Sequence, residues 1–305
     1  MSHVEFRTAQ AYTLASVPSL SEVSAMATAR GGGGAGAAED GGLDGALART
    51  IEHELVPRLL LAHRAGPFPP YARAALAERL GVDDASVRAD DRQDFLTSVL
   101  GADEDAASAL VHELVERGVR VESVYLDLLA PTAVHLGTMW ETDECDFLEV
   151  TIALGRLQRV LRELSGRFVA TGSPETVAGS ALLSSIPGEQ HTLGIFMVAE
   201  FLLRDGWGVQ VGTPATSDEL LTLVRDEWFD VVGFSAACDT RLLKLRHEIA
   251  NVRRHARNPR LVVLVGGRVF VDNPELVARV GADGYAPTAA DAPRCARQLL
   301  ERLPA

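Results

Sequence analysis

The chain has 305 residues, 47% of them hydrophobic, and a net charge of −13. That length admits two domains with buried cores, and the acidity argues against autonomous DNA binding, which needs a basic face that displaces counterions. Cys145, Cys238 and Cys295 are scattered without a CxxC pair, which excludes a disulfide frame or zinc site and fits reduced thiols in the cytoplasm. No apolar stretch is long enough to span a bilayer, and the N-terminus lacks the basic and apolar regions of a signal peptide.

Residues 1–42 form a Gly- and Ala-rich tail that includes Gly31-Gly32-Gly33-Gly34. Such a stretch buries too little to fold alone and is expected to be disordered. Met26 within it is read as an internal methionine, with an alternative start as the other reading. Residues 43–90 follow as a helical extension, with Leu47, Ile51, Leu55 and Leu59 at helical spacing and Pro57 interrupting them. This helix either packs on its own protein or docks a partner.

Residues 91–170 carry four helical stripes, expected to pack as a four-helix bundle. Phe95, Val99 and Leu100 mark the first. Ala107, Leu110, Val111, Leu114 and Val115 mark the second, which Gly118 can end at its C′ position. The third runs from Val121 to Trp140, with Pro131 expected to bend it. Phe147, Val150, Leu154, Leu157, Leu161 and Leu164 mark the fourth. Residues 177–305 alternate between apolar runs and helical patterns, which implies a parallel sheet. The runs are Ala181 to Ile186, Trp207 to Val211, Val231 to Ser235, Leu261 to Val265 and Gly284 to Ala286. Ser217 is expected to N-cap one helix and Asn273 another that opens on Pro274. The expected order is the flavodoxin-like 2-1-3-4-5, giving an α/β chain with a helical bundle followed by a five-stranded Rossmann-like domain.

Three segments carry the chemistry. Gly188-Glu189-Gln190-His191-Thr192-Leu193-Gly194 leaves the first strand. In a doubly wound sheet, ligands sit beyond the carboxyl ends of the strands. His191 there suits a metal ligand, and Glu189 can orient its ring. A lone histidine in such a loop is otherwise an ordinary polar surface residue. Two further strand ends change the balance: Val231-Val232-Gly233-Phe234-Ser235 ends in a hydroxyl, and Leu261 to Val265 ends in Gly266-Gly267. Side by side, these can line one crevice, and the glycines let a large planar ligand approach the backbone.

These motifs resemble the corrinoid-binding fold, which carries Asp-x-His-x-x-Gly, then Ser-x-Leu, then Gly-Gly at similar gaps. Here they read Glu189-x-His191-x-x-Gly194, Ser235-Ala236-Ala237 and Gly266-Gly267. Glu189 stands for the aspartate, and Ala237 for the leucine. The resemblance implies that His191 displaces the dimethylbenzimidazole tail of a cobalamin and binds cobalt from below. The tail would then run past Thr192, Gly194, Ser235, Gly266 and Gly267. It further implies that the bundle covers the upper corrin face, with Met139 and Trp140 over the cobalt. In one light-sensing subgroup a histidine follows that tryptophan; Glu141 stands here instead. His135 is a speculative upper ligand, and Asp146, Glu149 and Thr151 offer polar groups to corrin amides.

The string Ile51 to His63 is similar to the segment ahead of the bundle in AerR/PpaA-type photosynthesis regulators. Membership of that family would imply a light-responsive antirepressor using hydroxocobalamin or adenosylcobalamin. Its partner would be a DNA-binding repressor of the CrtJ/PpsR type, with DNA contacted only through that partner. The alternatives are a corrinoid carrier in methyl transfer and a haem sensor with His191 on iron. No P-loop, catalytic triad, dinucleotide fingerprint or paired catalytic carboxylates can be read, so no enzymatic turnover is expected.

Overall fold

The computed structural model describes residues 86–172, 178–187, 192–214, 216–236 and 239–303. The expected tail, the Leu43–His63 helix, Glu189, His191, Ala237 and Cys238 lie outside these residues. The described part opens with helices α1 (Ala89–Leu100) and α2 (Ala106–Glu116). The third rod, α3, consists of Val121–Ser123, a π-helical stretch Val124–Leu129 and Ala130–Glu141. α4 (Phe147–Val169) is 23 residues long. Gly118 follows α2 at φ 98° and donates its N–H to Val115, the left-handed stop its position predicts. Pro131 lies in the first turn of the segment after the π-helical stretch. The missing N–H of proline falls where the hydrogen-bonding pattern changes, and Asp127 O, four residues back, accepts from Arg92 Nε at 2.9 Å.

The second part contains β1 (Ser180–Ser185), α5 (Leu193–Arg204), β2 (Gly208–Gly212), α6 (Ser217–Asp226) and β3 (Val231–Ser235). It continues through a 3-10 turn (Asp239–Arg241), α7 (Leu242–His255) and β4 (Val262–Gly266). The short helices α8 (Arg268–Asp272) and α9 (Leu276–Val280) lead to β5 (Gly284–Ala286), and α10 (Ala292–Glu301) closes the chain. The five strands are parallel in the order β2-β1-β3-β4-β5, as the alternation predicts. Two caps differ from expectation. Thr216, not Ser217, accepts the Glu219 N–H, and Ser217 Oγ donates to Glu248 instead. Asn273 ends α8 and its side chain caps nothing in α9, which starts at Leu276 behind Glu275 rather than at Pro274. In both places adjacent polar residues compete for one role, and tertiary packing decides between them.

The bundle core extends onto α5, taking in Met197 and Phe201, while the sheet buries two clusters of its own. Phe168 on α4 is 1% exposed and packs 4.8 Å from Tyr125 and 5.0 Å from Phe201, measured between ring centroids. The Arg204 guanidinium lies 4.3 Å above the Phe168 ring and reaches Glu122 of α3 at 2.7 Å. This cation–π contact and ion pair fasten α5 to the bundle. Truncation of Phe168 to alanine is expected to cost about 3–5 kcal/mol, read as a fall in the urea midpoint.

Glu200 of α5 is 5% exposed, and its Oε2 has no hydrogen-bond partner. Burial raises its pKa, and a hydrogen bond from Ser165 only partly opposes this. The folded chain therefore holds this proton to higher pH than the unfolded chain does. Stability is full below the ordinary carboxylate range and is lost as pH rises through the raised value. Glu200→Gln is expected to flatten that decline and to raise the unfolding midpoint at about pH 8 more than at about pH 5.

Candidate functional site

The sheet face toward α5 is stripped of bulk at its carboxyl end. Ser185, Ser235 and Gly266 are in register on neighbouring strands, so all three side-chain positions share one face. Gly233 is two residues before Ser235 on the same face. From the opposite side comes Gly194, near the start of α5. A Cβ placed there would sit 3.7 Å from Ser235 Oγ. Only glycine and serine thus separate the start of α5 from the ends of β1, β3 and β4, while Leu183 fills the space over Gly233. Ser185 Oγ is buried there without a hydrogen-bond partner. A Cβ at Gly266 would make only an ordinary contact, 3.7 Å from Ala286 O. Gly267 plays another part. Its φ is 105°, and a Cβ would fall 2.1 Å from Ala236 O. It makes the close turn after β4 while Ala236 N–H donates to Gly266 O at 3.0 Å.

α4 supplies the wall above. Gln158, near its middle, donates to Thr192 Oγ1 at 3.3 Å, and Thr192 precedes the first residue of α5. Near its far end, Phe168 meets Phe201 of α5. The two helices therefore run side by side from Gln158 onward, and the half of α4 before Gln158 projects beyond the start of α5. At 1.5 Å per residue, that overhang from Phe147 is about 16 Å. Thr151 and Gly155 share the helical face of Gln158, and a Cβ on Gly155 would meet nothing within 4 Å. This leaves room between overhang and sheet edge.

The outer end of the bundle holds Trp140, 8% exposed, packed with Cys145 and Val150 and flanked by Met139, Leu100 and Leu154. Met139 O accepts the N–H groups of Glu144 and Cys145, which folds the turn into α4. Burial pushes the Cys145 thiol pKa up, with Glu149, Glu144 and Asp146 adding to the rise. Glu141 keeps Oε1 buried without a partner. Asp146 and Glu149 are occupied as a reciprocal cap of α4, at 2.8 Å in both directions. This makes them structural carboxylates rather than free contacts. Thr151 Oγ1 donates to Phe147 O, and His135 is exposed on α3.

Thr192, Gly194, Ser235, Gly266 and Gly267 thus converge at one edge, while Met139 and Trp140 stand at the outer bundle end. Ser185 was missed on sequence, although counting across the strand ends in a parallel register pairs it with Ser235. Gln158 gave no signal, because its partner is 34 residues away. Among the described residues, no three His, Cys, Asp or Glu side chains converge as a metal site. No helix there is long and apolar enough to cross a membrane.

An open parallel sheet with a small-residue slot at its switch point, roofed by a helical bundle, defines a class of ligand-holding domains. Residues 179–294 match the B12 binding domain, and residues 91–165 match a second B12 binding domain family that covers the bundle. The chain belongs to the B12 binding domain family. It is 30% identical over 165 residues to an uncharacterized 20.5 kDa protein in the bchF-crtJ intergenic region of Rhodobacter capsulatus, covering 54% of this chain and 85% of that one. It is 25% identical over 209 residues to a corrinoid protein of Desulfitobacterium hafniense, covering 67% of this chain and 94% of that one. The monomethylamine corrinoid protein of Methanosarcina barkeri has the same fold, with a TM-score of 0.60 at 15% identity over 69% of this chain and 98% of that one.

Proposed function

We propose that this protein binds a cobalamin between the overhang of α4 and the carboxyl edge of the sheet, and works by holding it rather than by turnover. The observation that carries the reading is the slot in which Ser185, Ser235 and Gly266 lie in register opposite Gly194. Its walls carry only small side chains, as close approach by the nucleotide tail of a cobalamin requires. The orphaned Ser185 Oγ and Glu141 Oε1 fit the polar edges of such a ligand. His191 is the lower cobalt ligand in this reading and Glu189 its orienting carboxylate. Thr192, Gly194, Ser235, Gly266 and Gly267 accommodate the tail. Met139 and Trp140 shield the opposite side from water. Cobalamin supplies a cobalt centre that accepts and releases an upper alkyl group.

Carriage of the corrinoid is the better supported use, since a corrinoid protein matches over two thirds of this chain. A second reading, a light-responsive antirepressor acting on a CrtJ/PpsR-type repressor, is favoured by the similarity to the protein from the bchF-crtJ region. The test is reconstitution with hydroxocobalamin, adenosylcobalamin or haem, with spectra taken in darkness and after illumination. Corrin uptake with a spectrum of histidine ligation is expected; a Soret band without corrin uptake overturns the proposal. Methyl transfer to a thiol acceptor by a partner enzyme selects the carrier. A light-dependent change in operator binding by a purified repressor of that type selects the regulator. Trp140→Ala is expected to leave binding within about tenfold while speeding photolysis or exchange of the upper ligand, measured by stopped-flow spectroscopy.

A further inference from the structure

Only three large hydrophobic side chains are strongly exposed among the described residues: Leu148 at 54%, Trp228 at 51% and Leu243 at 83%. Leu243 and Leu148 lie in charge fields of opposite sign. On α7, the spacing four, three, four sets Leu243, His247, Ala250 and Arg254 along the outward line, with Arg246 beside it. The sole carboxylate of that helix, Glu248, is 1% exposed and turned inward, where its carboxylate accepts from Ser217 Oγ. The outer face is therefore cationic in a chain whose net charge is −13. Leu148 sits at the opposite extreme. From Glu141 to Glu149 the chain carries Glu141, Asp143, Glu144, Asp146 and Glu149, with no lysine or arginine.

We propose that a second copy of this chain docks on the α7 face, bringing its Leu148 turn onto Leu243 and Arg246. The charge match lies within one sequence, so the acidic turn of one copy meets α7 of another, and a two-fold axis would make the contact twice. A polyanionic nucleic acid fits less well. The overall charge opposes its approach, and phosphates would leave Leu243 uncovered. A dimer of this kind is held by charge and two leucines, so it loosens as salt rises. The contact does not depend on the cobalamin reading, because Leu148, Asp143 and Glu144 on one side and Leu243, Arg246 and Arg254 on the other are not among the residues assigned to the ligand.

Sedimentation velocity on the full chain, at about 50 mM and about 500 mM NaCl, tests this. Dimer at low salt and monomer at high salt are expected. Arg246→Glu with Arg254→Glu should raise the dimer dissociation constant about tenfold or more, as should Asp143→Asn with Glu144→Lys. Leu243→Ser should weaken it too. Mixing the two charge variants should restore the dimer, which separates a lost contact from a lost fold. A wild-type chain that stays monomeric at low salt overturns the proposal. So does a dimer indifferent to these substitutions, or a mixture that fails to recover. Retardation of a labelled DNA duplex that requires Arg246 and Arg254, without dimer, reassigns the face to nucleic acid and overturns it as well.

Discussion

Replacing His191 with alanine is expected to reduce hydroxocobalamin affinity by about a hundredfold or more, since changes even to residues that merely orient a metal ligand cost 10–100-fold. The argument rests on position. His191 immediately precedes Thr192, whose hydroxyl accepts from Gln158 of α4 and whose backbone starts α5. The described residues on either side of His191 in the chain, Pro187 after β1 and Thr192 before α5, adjoin the strand ends that carry Ser185, Ser235 and Gly266. Spectrophotometric titration measures the effect, and the far-ultraviolet circular dichroism should match that of the wild type. An unchanged affinity and an unchanged absorption spectrum would remove His191 as the ligand.

The two glycines that end β4 and open α5 should separate under mutation. Gly267→Val is expected to destabilise the fold by about 3 kcal/mol or more, because a β-branched residue is forced to positive φ against a backbone oxygen. At φ 105° its Cβ would fall 2.1 Å from Ala236 O, so the turn must open and the Ala236–Gly266 hydrogen bond with it. Gly194→Ala should behave differently. Its Cβ meets Ser235 Oγ at 3.7 Å, an ordinary contact, so the protein should unfold near the wild-type midpoint. Its cobalamin affinity should nevertheless fall, since the methyl group projects into the slot. Thermal unfolding and ligand titration of both variants separate the roles. Equal stability of Gly267→Val and wild type would contradict the first, and full affinity of Gly194→Ala the second.

The sheet was legible in sequence because a buried parallel strand is a short, continuous apolar run, and five such runs alternate with helical patterns. Their order followed from the rules for doubly wound sheets. What failed was local and side-chain dependent. Thr216 and Ser217 are adjacent hydroxyls, and only the position of Glu248 shows which one caps α6. Pro131 signals a break, and the structure answers it with a π-helical stretch directly ahead, whose Tyr125, Leu128 and Leu129 are in the bundle core. The strand ends were found by their glycines and hydroxyl, whereas Ser185 needed the register. Net charge concealed most. A sum of −13 leaves no trace of the cationic face of α7, because position on a helix, not total, decides what a partner meets.

α4 is held in two layers: its first half is packed into the bundle, where Ala153 and Leu157 are buried and Arg156 donates to the carbonyls of Val99 and Gly101, and its second half also meets α5. The clamp comprises Gln158 on Thr192, Ser165 on Glu200, and Phe168 wedged between Tyr125 and Phe201. A continuous helix held in both layers carries displacement along its length, from the turns where Trp140 and Val150 pack to Gln158 beside Thr192. The Trp140 cluster and the start of α5 are thus joined by one unbroken helix of 23 residues.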